Sequence, residues 1–243
     1  MTLYMMGLGL EDEKSISLQA LEKIKLCNEL YLENYTSILQ VQKQKLEKLY
    51  NKKIILADRE LIESNFSNII LKAKKENIAL LIPGDVFSAT THISIFQEAK
   101  ENNVKIEIYN NASVLTAVGI TGLELYKFGR TASIPFDNSK VITPVTILKD
   151  NQKSNLHTLF LLDLNPKENK FLTIKEAIEY LEKNKVSSKE KALACARLDC
   201  KDYLIKSGAL SDLKSKDYGK PPYCLIMPSK LHFIEEEMFN SWK

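Results

Sequence analysis

The sequence predicts an α/β protein of two domains, with a mostly parallel sheet in the amino-terminal half and a mixed sheet in the carboxyl-terminal half. Three features carry that expectation. Short apolar runs alternate with stretches of helical period as far as Tyr109, the spacing of successive strand-helix units. The run Ile78-Ala-Leu-Leu-Ile82 is apolar at every position, as a strand covered on both faces requires; a half-exposed strand would alternate. Beyond Asn110 the regular order gives way to a connection rich in small residues, then to strands and helices in irregular sequence. The boundary is placed at 112/113, giving an amino-terminal domain 1–112 and a carboxyl-terminal domain 113–243.

In chain order, residues 3–6 read as a strand and 15–26 as an amphipathic helix, with Ser15 or Ser17 available as its cap. Residues 29–32, 54–57, 78–82 and 104–109 read as strands, and 41–50 and 66–76 as helices, with a further helix starting near Thr91. Gly119 and Gly122 mark 111–125 as a close-packed helical connection. Residues 131–172 hold one strong strand, 158–164, after the loosely patterned stretch 137–155. A helix at 174–183, strand-like runs at 192–198 and 203–206, a short helix at 210–216, a strand at 223–227 and a helix at 231–239 complete the chain.

Composition narrows the function. The 243 residues are 44% hydrophobic and 27% charged, enough for one large core or two modest ones. No apolar run approaches the ~20 residues that a bilayer requires, and no signal-like segment opens the chain, so a cytoplasmic protein without a membrane partner is expected. The net charge is only +3 because 31 acidic residues offset 34 basic ones, and just three of the latter are arginines, Arg59, Arg130 and Arg197. That balance argues against a nucleic-acid partner. Cys27, Cys195, Cys200 and Cys224 share no ligand spacing with His92, His157 or His232, so no metal site is expected and the thiols are read as reduced and buried.

The informative loops follow strands. Gly7 and Gly9 lie just past the first strand, and Gly84 and Asp85 just past Ile78–Ile82. In a parallel sheet those carboxyl ends face one crevice, the usual ligand side. GLGL lacks the third glycine of a dinucleotide fingerprint, with Asp12 in its place, so the turns suit a ligand needing close backbone approach without a pyrophosphate. Asp85 can accept hydrogen bonds, and Ser88, Thr90 and Thr91 can start a helix. Both roles are also those of an ordinary turn and cap. No hydrolytic triad or carboxylate pair stands out, and the catalytic residue is unassigned.

Eight segments in order resemble the diphthine synthase family, within the tetrapyrrole-methylase-like class of S-adenosylmethionine-dependent methyltransferases. They are LYMMGLGL (3–10), YLENYTS (31–37), ADRE (57–60), PGDVFSATTH (83–92), NASV (111–114), AVGITGL (117–123), LYKFG (125–129) and HTLFLLD (157–163). The resemblance implies two α/β domains with the cofactor, S-adenosyl-L-methionine, folded into a cleft between them, and S-adenosyl-L-homocysteine as product. It implies a homodimer that methylates the amino group of the aminocarboxypropyl-histidine on translation elongation factor 2, a carboxylate being methylated too in some members. Carried over by position, the cofactor contacts are Leu10, Asp85, Ser88, Ser113, Val114, Leu162, Leu198 and Tyr223.

Two positions and one segment depart from the family pattern: Val86 replaces a usual proline, Tyr223 a usual histidine, and 138–148 lacks the family's aromatic residues. The competing readings are a tetrapyrrole-type small-molecule methylase of the same fold and a non-catalytic protein that docks on the elongation factor.

Overall fold

The computed structural model describes residues 1–243. The chain divides into two compact units, Met1–Leu115 and Thr116–Lys243.

The first unit runs β1 (Leu3–Gly7), α1 (Leu18–Ile24), β2 (Glu29–Glu33), α2 (Lys43–Tyr50), β3 (Ile54–Ala57), α3 (Arg59–Ser64), α4 (Ser67–Lys72), β4 (Ile78–Ile82), α5 (Ile93–Glu101) and β5 (Ile106–Tyr109). Its five strands form a sheet in the order β3-β2-β4-β1-β5, and every pair is parallel. β1 and β4 are buried along their whole length because both faces are covered. Leu3, Met5, Leu80 and Ile82 pack on one face with α4 and α5; Tyr4, Met6, Ala79 and Leu81 pack on the other with α1 and α2. Winding from β1 to β3 runs one way and the return from β4 to β5 runs the other, so the ends of β4 and β1 flank a reversal, the common place for a ligand.

The Ser17 hydroxyl caps α1, accepting from the Ala20 amide at 3.2 Å. α3 has no counterpart in the sequence reading. Asp58 starts it by accepting from the Leu61 amide at 3.1 Å, and the helix expected over 66–76 is correspondingly short.

The short helix α6 (Val114–Ala117) leads into two 3-10 turns, Val118–Thr121 and Leu125–Lys127. The second unit continues with β6 (Ala132–Ile134), α7 (Thr143–Lys153), β7 (Thr158–Leu162), a small hairpin of β8 (Leu164–Asn165) and β9 (Lys170–Phe171), α8 (Ile174–Lys183), β10 (Lys191–Ala196), β11 (Leu204–Ala209), α9 (Leu210–Leu213), β12 (Tyr223–Met227) and α10 (Phe233–Ser241). Its main sheet has the order β11-β10-β12-β7-β6, antiparallel except for β6 beside β7. The sheet is therefore mixed, as expected.

α7 occupies the stretch that looked loosely patterned. Its buried positions Pro144, Val145, Leu148 and Asn151 recur at helical spacing, but Thr143, Val145, Thr146 and Ile147 are β-branched and blur the period. Asn151 anchors it: its amide donates to the Arg130 carbonyl at 2.9 Å and to the Thr158 hydroxyl at 3.0 Å. All four cysteines are free and buried. No helix is long and apolar enough to cross a membrane.

Candidate active site

In the first unit the glycine turns meet. Gly9 and Gly84 pair as an antiparallel bridge, the Gly9 amide donating to the Gly84 carbonyl at 3.1 Å and the Gly84 amide to the Gly9 carbonyl at 2.7 Å. Gly84 has φ +87°, and a Cβ placed there would face the Leu10 side chain and the Ala112 carbonyl at 3.7 and 3.8 Å. Gly7 is tighter. A Cβ on it would lie 2.6 Å from the Gly84 carbonyl oxygen and 2.9 Å from Asn111 Cβ, so Gly7→Ala must displace backbone. We expect that variant to lose about 1–3 kcal/mol of stability, read by thermal unfolding.

Asp85 joins two strand ends. Its Oδ1 accepts from the Phe87 amide (3.1 Å), the Ser88 amide (3.2 Å) and the Ser88 hydroxyl (2.8 Å), and its Oδ2 accepts from the Asn111 amide (3.1 Å). Burial pushes its pKa up, but these donors and the Val86 amide outweigh it, so the carboxyl sits below its usual range and stays charged. Asn111, quoted only as part of a motif in the sequence, is the second pin of this rim. Its side-chain amide donates to the carbonyls of Gly7 at 3.0 Å and Ser15 at 2.9 Å. Ser113 is buried and accepts from the Leu115 amide at 3.1 Å. Leu10, Ser88 and Val114 are half-buried. Ala89, in the same loop, holds φ +58°, a conformation that costs an alanine energy and persists only where its surroundings impose it.

On the far side of Asp85 the β2 end is organised by Glu33, which the sequence reading did not single out. It is buried and accepts from the Tyr35 amide (2.7 Å), the Thr36 amide (2.5 Å) and the Thr36 hydroxyl (2.5 Å).

In the second unit, Leu162, Leu198 and Tyr223 share one end of the sheet. Tyr223 opens β12 and lies opposite Ala196, the last residue of β10, while Leu162 ends β7 one step past the Leu161–Cys224 pair. Leu198 sits in a strained turn between Arg197 (φ +50°) and Asp199 (φ +68°). Arg197 holds that turn. Its guanidinium donates to the Asp202 carboxylate (2.9 Å), the Asp202 carbonyl (2.9 Å), the Tyr218 carbonyl (3.0 Å) and the Lys220 carbonyl, and its amide donates to the Pro222 carbonyl (3.0 Å). The Tyr223 hydroxyl donates to the Gly219 carbonyl, so the loop before β12 is tied at both ends. Arg197→Ala should cost about 2–3 kcal/mol and weaken ligand binding. Lysine should rescue little, since one ammonium cannot span four acceptors; denaturant unfolding and calorimetry check both points.

The tetrapyrrole (corrin/porphyrin) methylase family model matches residues 2–214. The chain belongs to that family. Within it, a diphthine synthase of Methanococcus maripaludis is 38% identical, covering 97% of this chain and 96% of its own length. A diphthine methyl ester synthase of Dictyostelium discoideum is 35% identical, covering 100% and 98%. A crystal structure of a diphthine synthase superposes with a TM-score of 0.94 at 36% identity, covering 100% of this chain and 96% of the other. This tetrapyrrole methylase is thus a methyltransferase of the diphthine synthase group. For a member of that family the rim needs neither metal nor nucleophile. Methyl transfer is an in-line displacement that depends on holding two reactants aligned.

Proposed function

We propose that the chain transfers methyl groups repeatedly from S-adenosyl-L-methionine to the amino group of the aminocarboxypropyl arm on a histidine of translation elongation factor 2, releasing S-adenosyl-L-homocysteine. The observation that carries the reading is the Gly9–Gly84 bridge with Asp85 tied across it to Asn111, in a chain similar to diphthine synthases end to end.

The rim fits the cofactor. Gly84 leaves room for close backbone approach beside Leu10 and Ala112, and Asp85 Oδ2 keeps acceptor capacity after its one bond to Asn111. When bound, the cofactor supplies a methyl group activated by its positive sulfur. In the first unit Leu10 and Val114 would offer apolar walls and Asp85, Ser88 and Ser113 polar contacts; in the second, Leu162 and Leu198 would offer apolar contact and Tyr223 a polar tip. Val86 fits this role although a proline is usual there: its side chain is buried in the core and its amide supports Asp85, which a proline could not do.

The protein works as a homodimer in the cytoplasm. Large exposed apolar side chains, Tyr126, Phe233 and Ile234, support self-association, and free cysteines suit a reducing compartment. Purified protein, labelled cofactor and elongation factor 2 carrying the aminocarboxypropyl-histidine should yield methylated factor, with the methyl count read by mass spectrometry. Absence of transfer where an authentic synthase succeeds, or transfer to a porphyrinoid alone, refutes the reading. Light scattering tests the dimer.

A further inference from the structure

Four buried side-chain polar atoms in the chain have no hydrogen-bond partner, and two of them, Tyr35 Oη and His92 Nε2, belong to rings in contact. The rings meet edge to face with centroids 6.5 Å apart, His92 fully buried and Tyr35 8% exposed. Buried polar groups are almost always satisfied, so two orphans in one contact mark a place where something else binds or passes. Only a loose contact with Thr91 lies beside the tyrosine hydroxyl.

The tautomer of His92 follows from its other nitrogen. Nδ1 lies 3.3 Å from the Val86 carbonyl, which can only accept, so Nδ1 carries the hydrogen and Nε2 presents a lone pair. Val86 follows Asp85 directly, which wires the imidazole to the rim loop. Tyr35 is fixed from the other side: Glu33 binds its amide, and the Arg59 guanidinium lies over its ring at 5.3 Å. The order β3-β2-β4-β1-β5 sets this pair between the ends of β2 and β4, while Leu10 and Ser113 follow β1 and β5 on the opposite side of Asp85.

We propose that Tyr35 and His92 form the proton-accepting pair of the methyl transfer, with His92 Nε2 as the final acceptor and the Tyr35 hydroxyl carrying the proton in from the rim. The proposal rests on the methyltransferase reading above. An attacking amine must shed a proton for each methyl gained, and the bond changes balance: N–CH3 forms as CH3–S breaks with its electron pair staying on sulfur. Tyr35 Oη and His92 Nε2 are not bonded to each other, so a bridging water completes the relay: the N–H proton passes to the phenol oxygen, the phenol proton to the water and a water proton to Nε2, leaving tyrosine and water unchanged and the histidine charged. Burial pulls the His92 pKa down, against Glu33, the Val86 carbonyl and Glu63, which pull it up, so the imidazole starts neutral. Glu33, Glu63 and Arg59 are the charges around the pair, and the two carboxylates favour the imidazolium once it forms.

Tyr35→Phe and His92→Gln test the pair. Removing an unpaired buried hydroxyl should leave the melting temperature of Tyr35→Phe equal or higher, and calorimetric affinity for S-adenosyl-L-homocysteine within twofold, while kcat falls at least tenfold. Nitrogen-15 NMR of the wild-type histidines should show His92 at neutral pH with a protonated Nδ1 and a bare Nε2. The wild-type kcat should fall as pH drops through the His92 pKa, and that limb should vanish in His92→Gln. A protonated Nε2 at neutral pH, or a Tyr35→Phe kcat within twofold of wild type, overturns the proposal. Failure of wild-type transfer would instead count against the parent reading.

Discussion

Asp85→Ala should weaken binding of S-adenosyl-L-homocysteine by about 10–100-fold, equivalent to roughly 1.4–2.8 kcal/mol, and should also destabilise the first unit. The sequence left two roles open for Asp85, an acceptor for a ligand and an ordinary turn carboxylate, and the structure shows the second in place. In the structure Oδ1 is already committed to three donors, the amides of Phe87 and Ser88 and the Ser88 hydroxyl, and Oδ2 to the Asn111 amide. Alanine would orphan those donors, free the loop that holds Ala89 at φ +58°, and cut the tie between the ends of β4 and β5. Each lost bond to a charged acceptor is worth about 1.5–3 kcal/mol, so the loss should spread between loop order and affinity. Three variants separate the two. Ser88→Ala removes one donor and should have a small effect. Asp85→Asn keeps an acceptor oxygen but turns an amide N–H toward donors, and should fall between wild type and alanine. Calorimetry gives the affinity and denaturant unfolding the stability; an alanine variant that binds as wild type does would show that Asp85 serves the turn alone.

What could be read from sequence follows how local each signal is. β4 was legible because five consecutive apolar residues admit few other readings, and α8 because Thr173 and Glu176 form a reciprocal cap within three positions. α7 was not, since β-branched residues hide a helix that tertiary contacts through Asn151 enforce. At the rim, strand ends alone put the Gly9 and Gly84 turns on one side of the sheet, but the bridge between the two glycines is seen only in the structure. Asn111 was not, because the carbonyls it binds lie 104 and 96 residues away, and nothing near an asparagine announces such partners. Arg197 is similar: apart from the Asp202 carboxylate, its acceptors are backbone carbonyls, which carry no side-chain signature. Positions that bind main chain at long range are visible only once the fold brings that main chain to them.

The largest loss of stability is expected on the second unit, from Glu235→Ala. Glu235 is 1% exposed on α10, and its oxygens accept from Lys127 Nζ (2.5 Å), His157 Nε2 (2.8 Å), the His232 amide (2.7 Å) and the Glu124 amide (3.0 Å). The buried His157 has its tautomer set by this carboxylate: Nδ1 accepts from the Ser229 amide at 3.0 Å, so Nε2 holds the hydrogen that Glu235 takes. Removing the acid leaves a buried imidazole N–H and two amides unpaired and the Lys127 ammonium without its counter-ion, which costs about 3–5 kcal/mol, a large part of an ordinary domain's margin. Burial pushes the Glu235 pKa up, but the donors outweigh it and hold the group at about 2. That lies below the ~4.3 of an unfolded glutamate, so its stabilisation is complete above that value and is lost as pH falls from there toward 2. Glu235→Ala should therefore be less stable at neutral pH and show a shallower decline across that acid window. Trp242, the one tryptophan, caps α10 and donates to the Thr121 carbonyl at 3.0 Å, so its fluorescence reports unfolding of this unit directly. Equal acid slopes in variant and wild type would place the linkage on another group.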